Sequence, residues 1–214
     1  MKSSSVVMLG ALLVGTNLAA QTNTQSSGPG PGPVGEVLAA GPNANPSQAQ
    51  PTPPGPADEL LASLNNVSKK LVDMAEDFPG EKYGYRPTPE VRSFADHLRH
   101  LAGVNYFFLR VARGEEAGAE DLPAEQYKTK AEIAAVLKKS FEEVAAAIQR
   151  GGDEGPRKTL RHPFADPHGG GHETITHLGL WMMLVENAGE HYGSLVVYYR
   201  LNGIVPPVSR RRTP

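Results

Sequence analysis

Mostly apolar residues recur at spacings dominated by four and three along four separate stretches of this chain, and that rhythm restricts it to one kind of fold. Leu60, Leu64, Val67, Leu71 and Met74 make the first stripe. Phe94, Leu98, Leu101, Val104, Phe108 and Val111 make the second; Ile133, Val136, Leu137, Phe141, Val144 and Ile148 make the third. The fourth runs Leu180, Leu184, Asn187, His191, Leu195, Tyr198. Residues so spaced share one face of an α-helix. Four such faces with no alternating strand pattern predict an all-α protein, a four-helix bundle with a common core.

Local signals place the helix ends. The first helix begins near Ala57 and stops before Phe78-Pro79-Gly80. Pro89 suits a first-turn position, so the second helix is expected from about that residue to Gly114. Thr129 and Glu132 form an S/T-x-x-E capping box that opens the third over roughly 130–150, and Gly151-Gly152 end it. The fourth spans roughly 174–202, with Asn202-Gly203 and then Pro206-Pro207 as its stop. The long connection between helices two and three leaves room for a crossover.

Outside this core the composition changes. Residues 1–20 have a lysine start, an apolar run from Val6 to Val14 and a small-residue end at Ala19-Ala20, the three parts of a secretory signal peptide. The run falls short of the roughly 20 apolar residues a membrane span needs, so no stable membrane insertion is expected after processing. Residues 21–57, with GPGPGPVG and PSQAQPTPPGP, lack the apolar surface to offset ordering entropy and read as a disordered linker. The folded domain is then 58–207, followed by a basic tail, 208–214. A periplasmic or secreted protein is expected. The formal charge of −2 offers no basic excess for nucleic acid, and the absence of cysteine removes thiolate nucleophiles and sulfur-based zinc sites.

Chemistry concentrates on the fourth stripe. Asn187 and His191 occupy core positions one turn apart, where two side chains can converge on one ion or hydrogen-bond to each other. Burying each without a partner costs about 1–3 kcal/mol. Across the bundle, helix two offers His97 and His100, some 60° apart at about 100° per residue. Counted against the apolar residues, His97 is central and His100 marginal, so the pattern alone favours His97. His162, His168 and His172 fall in a Gly-rich loop at spacings that match no strict metal motif. The chain has no G-x-S-x-G elbow, phosphate-cradling loop or dinucleotide fingerprint. No catalytic residue can be named.

Two long stretches, EKYGYRPTPEVRSFADHLRHLAGVNYFF and ENAGEHYGSLVVYYRLNGIVPP, resemble the DinB-like superfamily, the damage-inducible and YfiT-type four-helix proteins. The resemblance covers 58 to about 207 and implies an up-down-down-up bundle, often a homodimer through helix faces. It also implies a divalent metal, zinc or nickel, held by one histidine of helix two and an H-x-x-x-H pair in helix four. By position the helix-two ligand falls on His100, which directly precedes Leu-Ala, and the second member of the pair falls on His191. Asn187 stands where the first would be, so the implied metal set is His100, Asn187 and His191. Some members resemble thiol-dependent transferases, whose thiols are cytoplasmic, whereas this chain reads as exported. The expectation is therefore a binding or stress-associated module with a degenerate metal pocket, open to an unspecified small molecule. The alternative is a metal-dependent transferase or hydrolase using His100 and His191.

Overall fold

The computed structural model describes residues 53–164 and 172–210. The expected signal peptide, nearly all of the linker, His168 and the last four residues of the tail lie outside the described residues. Four long helices dominate: α1 (Pro56–Asp77), α2 (Phe94–Ala112), α3 (Lys130–Gly151) and α4 (His177–Leu201). The stripes read from the sequence are their buried faces. Leu64, Leu71, Met74, Leu98, Leu101, Ile133, Leu137, Leu180, Leu184 and Leu195 are all at most 1% exposed.

Two boundaries differ from expectation. α2 starts at Phe94, because Ser93 rather than Pro89 supplies the cap. The Ser93 hydroxyl accepts from the Asp96 amide at 3.1 Å, and the Asp96 carboxylate accepts from the Ser93 amide at 3.2 Å. The next free donors of that turn, Phe94 and Ala95, donate to the carbonyls of Tyr85 and Tyr83, each at 2.9 Å. α4 starts at His177, not near 174, because Thr174–Thr176 (β2) pairs antiparallel with Thr159–Arg161 (β1). Strands of three residues are too short to show an alternating pattern in sequence. The Thr129–Glu132 box caps α3 as read.

α1 and α2 each pack against both α3 and α4. Contacts at the ends give their directions. The Tyr199 hydroxyl near the end of α4 donates to the Met74 carbonyl near the end of α1 at 2.8 Å, so these two helices run together. Lys130, opening α3, donates to the Phe78 carbonyl at 2.8 Å, so α3 runs against α1. Phe78 stacks on Phe94 with ring centroids 3.9 Å apart, and Tyr199 tilts against Phe78 at 4.9 Å. This aromatic knot ties the end of α1, the start of α2 and the end of α4 into one rigid corner. One turn or two above it, α2 and α4 face each other with polar residues. Among the described residues no helix is long and apolar enough to cross a membrane.

Candidate functional site: a histidine cluster between α2 and α4

The second stripe and the fourth bring three imidazoles together. His97 Nδ1 lies 2.8 Å from His191 Nδ1, with ring centroids 5.0 Å apart. The His100 ring, one turn along α2, also has its centroid 5.0 Å from that of His191. His97 and His100 are 9% and 7% exposed, so both alternatives read from the sequence point inward and both reach His191. A spacing of three spreads them over a face wide enough to flank one ring of the opposing helix.

Each ring of α2 has a further polar neighbour. His97 Nε2 lies 3.2 Å from the Tyr198 hydroxyl, which itself donates to the Arg92 carbonyl at 2.5 Å. His100 Nδ1 lies 3.0 Å from Asp121 Oδ1 and 3.3 Å from Arg92 Nη2. The Arg92 guanidinium donates to both oxygens of Asp121 at 3.3 Å, which holds this carboxylate over the ring. Asp121 belongs to the connection between α2 and α3, and a glycine brings it there. A Cβ on Gly103 would fall 2.1 Å from the Glu120 carbonyl oxygen, so only glycine lets that backbone rest directly on α2, one turn beyond His100.

Burial keeps these rings neutral. Loss of water, then repulsion from Arg92 and His100, lowers His97 to about 4 despite the opposing Asp96. Loss of water and the neighbouring His100, His97 and Arg92 lower His191 to about 3. His100 is lowered for the same reasons, burial first and Arg92 second, with Asp121 opposing. At neutral pH each ring therefore carries one N–H and one bare lone pair.

The structure overturns one expectation about the fourth stripe. No Asn187–His191 hydrogen bond forms among the described residues; His191 is satisfied across the interface by His97. Asn187 Oδ1 is left buried with no hydrogen-bond partner. Such an orphaned acceptor costs about 1–3 kcal/mol. The neighbours Arg92 and Asp121 escaped the sequence reading. Asp121 gives no linear signal, since its contact depends on the path of a connection over Gly103. Arg92 adjoins the Ser93 cap, and the polar role of Tyr198 was hidden by its place on an apolar stripe. In the Gly-rich loop, His162 Nδ1 accepts from the Phe164 amide at 3.1 Å, a local turn contact. Among the described residues no three histidine or carboxylate side chains are arranged as a ready metal site. The cluster instead offers two imidazoles, His100 and His191, with the orphaned amide oxygen of Asn187 one helical turn before His191 on α4.

The DinB superfamily profile matches residues 63–195, which include all of α2, all of α3 and every histidine of the cluster. Among solved structures, a DinB-like protein from Bacillus subtilis (YjoA) is similar in fold, with a TM-score of 0.54. It shares 17% identity, over 72% of this chain and 99% of that one. No curated protein matches the chain in sequence. A profile match over more than half the chain, on a bundle of the same fold, settles its kinship: the chain belongs to the DinB superfamily.

Proposed function

We propose that this protein is a binding or stress-associated module that holds a divalent transition ion, zinc or nickel, weakly between α2 and α4. The observation that carries this reading is Asn187 Oδ1, a buried acceptor with no donor, one turn from His191. A cation would satisfy such an oxygen. The imidazoles fit as well. Two imidazoles on one tetrahedral ion, with metal–nitrogen bonds near 2.0–2.1 Å, keep ring centroids about 5 Å apart, and His100 and His191 stand at 5.0 Å. His100 is backed on Nδ1 by a carboxylate, the usual support for a histidine that binds metal through its other nitrogen.

His100, His191 and Asn187 are thus the residues that would hold the ion, which would supply Lewis acidity there. An amide oxygen is a poorer ligand than imidazole for zinc or nickel, so the site favours reversible binding over robust catalysis. Metal analysis of untagged protein purified without chelators, then reloaded, tests this. About one equivalent of zinc or nickel is expected; less than about 0.1 equivalent after reloading would sink it.

The Arg92–Asp121 pair beside His100 favours a second reading, a metal-dependent transferase or hydrolase, because it sets a cation and a carboxylate at the mouth of the cluster. That reading requires metal-dependent turnover that His191→Ala abolishes with the helices intact by circular dichroism. The leader adds export to the periplasm or beyond.

A further inference from the structure

The cluster contains more imidazole than a two-histidine ligand set uses, and the surplus ring is His97. We infer that His97 is a positioning residue: a one-way hydrogen-bond chain from the Arg92 carbonyl through Tyr198 and His97 fixes the tautomer of His191 so that its Nε2 is bare. The inference rests on the proposed ion site for its purpose, but not for its geometry.

The direction of the chain follows from what each atom can donate. The Tyr198 hydroxyl sits 2.5 Å from the Arg92 carbonyl oxygen, which only accepts, so the single hydroxyl proton lies between them. Tyr198 oxygen must then accept from its other neighbour, His97 Nε2, at 3.2 Å. That puts the proton of His97 on Nε2 and leaves its Nδ1 bare. His97 Nδ1 lies 2.8 Å from His191 Nδ1, a distance at which one nitrogen must carry a proton, so His191 donates from Nδ1. A neutral His191 protonated on Nδ1 presents a bare Nε2. Both nitrogens of His97 are spent in this chain, which is why it cannot be a ligand without breaking it.

His100 reaches the same state by a separate route. Its Nδ1 lies 3.0 Å from an Asp121 oxygen, which only accepts, and 3.3 Å from the Arg92 guanidinium, which only donates; the shorter contact, with Arg92 turned onto both Asp121 oxygens, puts the proton on Nδ1 and leaves Nε2 bare. Two rings 5.0 Å apart thus present the same nitrogen, one prepared by a carboxylate and the other by a histidine anchored to backbone. Partners of this kind hold a ligand's tautomer and orientation, and losing one typically weakens metal binding 10–100-fold.

Nitrogen-15 NMR of histidine-labelled, metal-free protein at pH 7 reads the tautomers directly. His97 is expected protonated on Nε2, with His191 and His100 both protonated on Nδ1. Tyr198→Phe removes the hydroxyl, so His97 and His191 should shift to mixed tautomers while His100, held by Asp121, keeps its own. Cobalt(II) affinity of the variant should fall about tenfold. His191 protonated on Nε2 in the unaltered protein would overturn the inference, with no variant needed. So would a Tyr198→Phe protein in which His97 and His191 keep their tautomers. If the tautomers are as stated but no metal binds, the relay stands and the ion site falls.

Discussion

Acid should destabilise this protein well above the range where its carboxylates titrate. The perturbation is a shift from pH 7 to pH 4.5 with chelator present, so that only protons are exchanged. In the unfolded chain each histidine takes up a proton near its usual 6.5, whereas folded His97 and His191 resist until about 4 and about 3. Between those limits the unfolded state binds more protons, so stability is full above about 6.5 and falls as pH drops toward 4. Two pH units below 6.5 correspond to about 2.7 kcal/mol per ring. Allowing for slight protonation of folded His97 and for the water that still touches His191, we expect about 2 kcal/mol each, about 4 together. Asp77 and Asp96 are held below their usual range and stay ionised at pH 4.5, so they contribute little in this window. Urea unfolding followed by far-ultraviolet circular dichroism should show a midpoint lower by about 2 M at a slope near 2 kcal/mol/M. A His97→Leu/His191→Leu double variant should lose most of that pH dependence without being less stable at pH 7. A loss under about 1 kcal/mol in the unaltered protein, or an equal slope in the double variant, would refute the reasoning.

Other substitutions separate the parts of the site. Asn187→Leu removes an orphaned acceptor, so metal-free stability should hold or rise by about 1 kcal/mol while nickel affinity by calorimetry falls. Gly103→Ala forces a Cβ into the Glu120 carbonyl; it should cost about 1–3 kcal/mol in urea unfolding and release Asp121 from His100, seen as a changed His100 tautomer by NMR. Ser93→Ala breaks the α2 cap and should cost about 1 kcal/mol, measured by thermal unfolding. N-terminal sequencing of the mature protein should begin near Gln21; an intact Met1 would contradict export.

The bundle could be read from sequence because burial imposes a helical period, and that period survives even where a polar residue interrupts it. Asn187 and His191 were recognisable as misfits for this reason. Position along a stripe did not decide between His97 and His100, since a wide helix face buries both and the opposing ring sits between them. The start of α2 moved because a reciprocal serine–aspartate cap outcompeted a proline that merely tolerates a first turn. Asp121 and Arg92 were out of reach. Their contacts depend on how two connections fold back over α2, and a glycine at 103 permits that approach without announcing it in any periodic pattern. His191 itself found a different partner from the one its neighbours in sequence suggested: an imidazole across the interface rather than the amide a turn away.

The central claim is that His100 and His191 present bare nitrogens to a shared ion. Cobalt(II) titration of untagged, metal-free protein tests it most directly, because visible absorption reports nitrogen ligation. The account predicts bands that saturate near one equivalent and are lost in both His100→Ala and His191→Ala. Absence of any band, or bands that persist unchanged when both histidines are replaced, would contradict it.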